Sequence, residues 1–243
     1  MALRIGVDLD GVVADMESEL VRQAERLFGE PMTRLLEERA KGPEPPADHE
    51  PPEGAAEIVP RLVKLQMTSR QERRLWRHVE LIDGFWESLD ELEPGVIARL
   101  GALAAERRWE VIFLTKRPET AGATAQVQTQ RWLEARGFAL PSVFVVHGSR
   151  GLVAHALNLD FVIDDRPENC LDVVVDSRAR AILVWRDADQ TLPATVRRLG
   201  IGIVRTVDEC LNILVQVDST GREKPGFFDR VKQRLGFKET AGV

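Results

Sequence analysis

LRIGVDLDGVVAD, residues 3–15, decides the reading of the chain. Residues 3–8 are short, rich in apolar and β-branched types, and end in an acidic turn with a glycine, which is the text of a buried strand. Asp8 closes that strand and Asp10 stands two positions on. Gly11 permits a tight turn that would bring both carboxylates to the sheet edge. Asp15 suits the start of a helix predicted to run to Phe28, because a carboxylate there satisfies free N–H groups and the helix dipole. Two acids this close repel unless a cation or a shared proton lies between them. One carboxylate of such a pair can attack phosphorus while the other protonates the leaving oxygen and then activates water. The bland alternative is an acidic turn with no chemistry.

Outward from this stretch, the text from Pro94 onward alternates short apolar runs with amphipathic ones. Strands are predicted at 109–115, 142–146, 160–164, 181–185 and 200–204. Helices are predicted at 95–108, 119–137, 150–158, 167–178, 190–199 and 206–217. Such alternation implies an α/β fold with a parallel sheet covered on both faces, and sheets of this kind bind ligands at the carboxyl ends of their strands. Residues 41–60 hold six prolines and read as a loop. Helical text resumes from Ala55 to Leu89, anchored by Trp76, Leu81, Ile82, Phe85 and Trp86. The expected organisation is a core from 1–17 and 92–217, a small helical insertion at 18–91 after the first strand, over the mouth of the core, and a tail at 218–243.

Three further places carry chemistry, each at or just after a predicted strand end. In FLTKRP, residues 113–118, the Thr115 hydroxyl can bond a phosphate oxygen, and Lys116 and Arg117 add positive charge. In FVIDDRPEN, residues 161–169, Asp164 and Asp165 are adjacent acids. Beside Asp8 they would form a hard oxygen site suited to Mg²⁺. Acids favouring a helix dipole are the plain alternative there. In SRG, residues 149–151, Arg150 could place a cation at a phosphate, with His147 nearby as a structural histidine.

Composition bounds the rest. The chain has 243 residues, 44% hydrophobic and 30% charged, with a formal net charge of -6. That is ordinary for a globular protein and gives no general attraction to nucleic acid or anionic lipid. An anionic substrate must therefore meet local cations or a metal. Cys170 and Cys210 are far apart and lack metal-like spacing, as expected of two thiols in a reducing compartment. No apolar run reaches the ~18 residues of a membrane span, and the N-terminus lacks signal-peptide features, so a cytoplasmic protein is expected.

Taken together, DLDGVVAD, the Thr of FLTKRP and VIDD, in this order with parallel α/β text between them, resemble the motifs of the haloacid dehalogenase superfamily. The GFWESL segment before PGV and the fuller FLTKRP and IDDRPEN motifs resemble the branch that contains cytosolic deoxyribonucleotidases and bacterial 5′-nucleotidases. The resemblance covers most of residues 1–215. It implies a Rossmann-like core with a helical cap and Mg²⁺-dependent hydrolysis of a phosphate monoester through an aspartyl-phosphate. It implies Asp8 as nucleophile and metal ligand, and Asp10 as general acid/base with its backbone carbonyl on the metal. Thr115 would bind the transferring phosphoryl group, and Asp164 and Asp165 would hold Mg²⁺ directly or through water. The stretch matching the family's third motif has no lysine; Arg150 or Lys116 would take its place. Phe85 and Trp86 are candidates to line a substrate pocket, with simple packing as the alternative. The substrate class implied is a nucleoside monophosphate. Other readings are a sugar phosphate or similar small monoester, or a binding protein that keeps the fold but is catalytically impaired. No membrane or long nucleic-acid partner is expected, and a homodimer is left open.

Overall fold

In the computed structural model, residues 2–40, 65–186 and 192–221 are described. The proline-rich loop at 41–60, the helical text from 55 to 64 and the tail beyond 221 lie outside them. Among the described residues, six strands form one parallel sheet: β1 (Arg4–Asp8), β2 (Glu110–Thr115), β3 (Ser142–Val145), β4 (Phe161–Asp164), β5 (Arg180–Val184) and β6 (Gly202–Val204). Their order is β3-β2-β1-β4-β5-β6. The chain leaves β1 toward β2 and later returns to its other side with β4, so the strand order reverses at β1. That reversal opens a crevice at the carboxyl end of β1.

The chain divides into two compact units. The first holds Met1–Ala14, Glu91–Thr115 and Leu133–Val243, and carries the sheet. Its helices are α4 (Val96–Arg107), α6 (Arg150–Ala156), α7 (Pro167–Asp176), α8 (Ala194–Arg198) and α9 (Val207–Gly221). The central strands read as continuous apolar runs because both faces are covered. Ile5 and Val7 of β1, Phe113 and Leu114 of β2, and Ile163 of β4 have no exposed surface. Alternate strand residues Ile112, Leu114, Val162, Ala181 and Leu183 pack with Ala154, Leu159, Cys170, Val173, Val196 and Ile201 from the helical layer and its loops.

Helices α6 and α7 meet closely at Gly151, where a methyl group would come within 2.0 Å of the Asp172 carbonyl oxygen. Replacing Gly151 with Ala must push backbone apart and is expected to cost about 1–3 kcal/mol. Thermal unfolding would report a lower Tm for Gly151→Ala; an unchanged Tm would contradict this packing.

The second unit holds Asp15–Asp90 and Lys116–Trp132. It contains α1 (Met16–Phe28), α2 (Glu30–Ala40), α3 (Ser69–Glu80), a single 3-10 turn at Phe85–Glu87 and most of α5 (Ala125–Ala135). Asp15 caps α1 by accepting from the Ser18 amide at 3.0 Å. Thr68 and Gln71 form a reciprocal cap on α3. The sequence reading assigns no element to 29–40, but α2 starts immediately after α1 there. Gly29, at φ +83°, makes the break, and Pro31 falls in the new first turn, where its missing N–H costs nothing.

Residues 116–132 join this unit through buried side chains. The Trp132 indole N–H donates to the Leu89 carbonyl at 2.7 Å. The Gln128 side-chain oxygen accepts from the Trp86 amide at 3.1 Å. Arg117, 2% exposed, places its guanidinium 4.8 Å from the Trp86 ring centroid and 5.7 Å from that of Trp132. Such long-range bonds leave no local trace in the sequence, which reads 119–137 as one helix closed by Gly137, whereas α5 spans Ala125–Ala135.

Candidate active site

The carboxyl ends of three neighbouring strands build the site. Asp8 is the last residue of β1, Thr115 of β2 and Asp164 of β4, and β1 lies between the other two. The chain after Asp8 folds back on itself. The Leu9 carbonyl accepts from the amides of Val12, Val13 and Ala14 at 3.3, 2.9 and 2.8 Å, and the Gly11 amide donates to Ala14 at 3.1 Å. Gly11 sits at φ +86°, a region that penalises any residue with a Cβ. This tight turn turns Asp10 back toward β2, where the Thr115 hydroxyl donates to the Asp10 carboxylate at 3.3 Å.

Carboxylate oxygens of Asp8, Asp164 and Asp165 lie within 4.8 Å of one another. Asp8 and Asp164 are buried and Asp165 is half-buried. Burial and mutual repulsion raise their proton affinity. Desolvation, then the Asp164 charge, holds the Asp8 carboxyl well above its ordinary range, although Arg150 pulls it back. Burial pushes Asp164 up too, opposed by Arg150, the Arg166 amide and Asn169. Burial, then Asp164, lifts Asp165 to about 8.

Arg150 is 2% exposed and answers this charge. One of its terminal N–H groups donates to Asp8, and its Nε lies 3.7 Å from Asp164 Oδ2. The residue opens α6, behind a Ser149 cap that accepts from the amides of Gly151 and Leu152. Its buried Nε and Nη1 have no hydrogen-bond partner among the described residues.

The two adjacent acids differ in their surroundings. Asn169 Nδ2 donates to both oxygens of Asp164 at 3.0 Å, and the Arg166 amide donates to Oδ1 at 2.9 Å. Asp165 Oδ1 is buried without a hydrogen-bond partner among the described residues. Asp165 also presses against the turn, for a Cβ on Gly11 would lie 2.0 Å from its Oδ2. An orphaned carboxylate oxygen beside two more acids, with no nitrogen or sulfur donor in the group, fits a hard divalent cation such as Mg²⁺.

The structure therefore brings together Asp8, Asp10, Thr115, Arg150, Asp164 and Asp165. Asp10 differs from the other acids: its side chain is outside the three-carboxylate group and is engaged by Thr115. Lys116 is half-buried and directly follows Thr115 as the first residue of a segment assigned to the second unit. Phe85 and Trp86 are wholly buried, edge to face at 4.8 Å. The Trp86 indole N–H donates to the Pro118 carbonyl at 3.0 Å, and Arg117 lies over its ring. These are interior contacts of the second unit. Asn169 was not singled out from the sequence; its only signal was a polar residue in the first turn of a helix that follows two acids.

A family model described as "5' nucleotidase, deoxy (Pyrimidine), cytosolic type C protein" matches residues 2–192. A search of curated proteins returned no match. Among solved structures, the chain resembles a Thermotoga maritima protein proposed to be a beta-phosphoglucomutase, with TM-score 0.54, 20% identity, and coverage of 88% of this chain and 99% of that one. It also resembles a phosphonoacetaldehyde hydrolase-like protein from Oleispira antarctica, with TM-score 0.49, 13% identity and coverage of 92% and 95%. A third is a hydrolase of the haloacid dehalogenase family from Deinococcus radiodurans, with TM-score 0.47, 15% identity and coverage of 90% and 96%. The first of these supports the fold. No described helix is long and apolar enough to cross a membrane.

Proposed function

This chain belongs to the cytosolic type C family of 5′ (deoxy, pyrimidine) nucleotidases, phosphatases with the haloacid dehalogenase fold, and from that premise we propose that it hydrolyses a nucleoside 5′-monophosphate through Asp8. The observation that carries the proposal is the convergence of Asp8 with Asp164 and Asp165 around the buried Arg150.

Asp8 attacks phosphorus and the ester bond breaks, leaving an aspartyl-phosphate. Asp10 delivers a proton to the departing ester oxygen and then takes one from the water that cleaves the acyl-phosphate. Its hydrogen bond from Thr115 keeps that carboxyl beside the reacting group. A dianionic phosphate approaching a carboxylate needs positive charge nearby. Arg150 supplies it, its guanidinium held against Asp8 and beside Asp164. Its ion pairs with Asp8 and Asp164 support Arg150 in the place of the missing lysine.

The donor set suits Mg²⁺, which Asp8, Asp165 and the Asp10 carbonyl would hold, with Asp164, fixed by Asn169, supporting them directly or through water. Bound there, the ion would neutralise repulsion between substrate and nucleophile and stabilise charge on the phosphoryl oxygens.

Proton competition makes a measurable consequence. Asp165 moves from an ordinary 3.8 to about 8 in the folded, metal-free protein. The folded state then binds more protons than the unfolded one between those values, so metal-free stability falls as pH rises through that window. Mg²⁺ must displace the same protons, so its affinity should climb from pH 5 to pH 8, with proton release on binding. Calorimetry in buffers of different ionisation enthalpy would measure this; pH-independent affinity would argue against Asp165 as a ligand.

Gly11→Ala should injure the same site, since the new methyl would strike Asp165 and the φ is unfavourable. A loss of Mg²⁺ affinity of roughly tenfold or more is expected, equivalent to about 1.4 kcal/mol. A Mg²⁺-dependent screen of nucleoside 5′-monophosphates, deoxypyrimidine forms included, against sugar phosphates tests the substrate. Preference for a sugar phosphate would replace the nucleotide reading and leave the hydrolytic one intact.

A further inference from the structure

The turn that carries Asp10 is held by a guanidinium with no part in the reaction just described. Arg186 stands two residues past β5 and is half-buried. Its Nη1 donates to the Gly11 carbonyl at 2.5 Å, and its Nη2 to the Val12 carbonyl at 2.8 Å. Nη2 also donates to Glu93 Oε1 at 2.6 Å. Glu93 in turn accepts from the Val207 amide at 2.8 Å and from the Asp208 amide at 3.0 Å. Those amides open α9, so one carboxylate both caps that helix and fixes the arginine.

The turn's own bonds satisfy the amides of Gly11, Val12, Val13 and Ala14. The carbonyls of Gly11 and Val12 instead face Arg186. A turn with a residue at φ +86° persists only where its surroundings restrain it. A planar guanidinium can grip two successive carbonyls at once, whereas an ammonium is a single point of charge.

We propose that Arg186 is a positioning residue for Asp10, acting through the Gly11 and Val12 carbonyls, and that Glu93 locks its guanidinium in place. The proposal rests on the reading of Asp10 as the acid/base of a phosphatase. It also accounts for three residues distant in sequence, at 93, 186 and 207, converging behind a turn that they do not chemically assist.

The test uses the full chain with Arg186→Met and Arg186→Lys, an aryl phosphate as substrate, and saturating Mg²⁺. Arg186→Met should lower kcat roughly 10- to 100-fold while KM stays within about twofold, because the acid/base moves but phosphate binding does not. Arg186→Lys should recover part of the loss. In an Asp10→Asn background, Arg186→Met should add little further loss, since both act at one step. Amide exchange at Val13 and Ala14 should rise roughly tenfold in Arg186→Met.

Unchanged exchange, or a kcat loss that multiplies fully with that of Asp10→Asn, would overturn the proposal. If Arg186→Met does not fold, Arg186→Lys decides by the same readouts: wild-type exchange and kcat would overturn it, and a partial rise in exchange with a partial fall in kcat would support it. Exchange is read without turnover. A wild-type protein inactive on every monoester would therefore remove the phosphatase reading, while the exchange result still decides whether Arg186 holds the turn.

Discussion

Asp8→Asn should abolish turnover of every monoester, a fall of roughly four orders of magnitude or more, while the protein still folds. The loss follows from chemistry: an amide cannot form the acyl-phosphate. The retained fold follows from the surroundings of Asp8. In the metal-free protein, burial and Asp164 already hold its carboxyl well above the ordinary range, so its charge is a burden rather than a stabiliser near neutral pH. Asn keeps the shape and removes that repulsion. Against this, Arg150 loses one of its two acidic neighbours and keeps Asp164. The two effects oppose, and the expected Tm in chelator is within a few degrees of wild type. Steady-state assays with Mg²⁺ and thermal unfolding with chelator check both halves. Residual turnover above about one per cent would remove Asp8 from the nucleophile's role.

The sequence made the frame of this site legible because its parts sit where local patterns end. Each of Asp8, Thr115 and Asp164 terminates an apolar run, and a parallel α/β sheet places such ends on one edge. The strand reading of 3–8 needed only residue types and the turn behind them. Arg150 was legible as a cation just after a strand, but its burial between two acids was not. Asn169, Glu93 and Arg186 carry no local signal. Asn169 looks like any polar residue in a helix's first turn, and Glu93 and Arg186 act across the fold on backbone groups 114 and 175 residues away. The distinction between Asp164 and Asp165 was equally hidden. Two identical side chains in succession point to different places, and only their hydrogen-bond partners separate them. For the aromatic pair the sequence offers both a pocket lining and simple packing; the long-range bonds of Trp86 to Pro118 and Gln128, which fix it in an interior, leave no local trace.

Arg150→Met is the second large effect, and its size should depend on pH. The guanidinium is buried beside Asp8 and Asp164 and lowers the proton affinity of each. Without it, two buried carboxylates face each other uncompensated. Near pH 8 the metal-free variant should be less stable by about 3–5 kcal/mol, the usual cost of breaking a buried ion pair from one side. Both acids already bind protons more tightly than free carboxylates and would do so still more strongly in the variant. The variant can therefore escape the penalty by taking up protons, and the gap to wild type should shrink as pH falls toward 5. Denaturant unfolding at both pH values, in chelator, measures that gap. A gap of equal size at pH 5 and pH 8 would mean that Arg150 matters through packing and not through charge. Catalysis should suffer independently, with kcat/KM down by roughly 10²–10³ as a preorganised cation at the phosphate disappears. Arg150→Lys separates the two roles. An ammonium restores charge near the acids, so most stability at pH 8 should return. It is a single point of charge and cannot reproduce the planar guanidinium that meets Asp8 and Asp164 at once, so only part of kcat/KM should return with it.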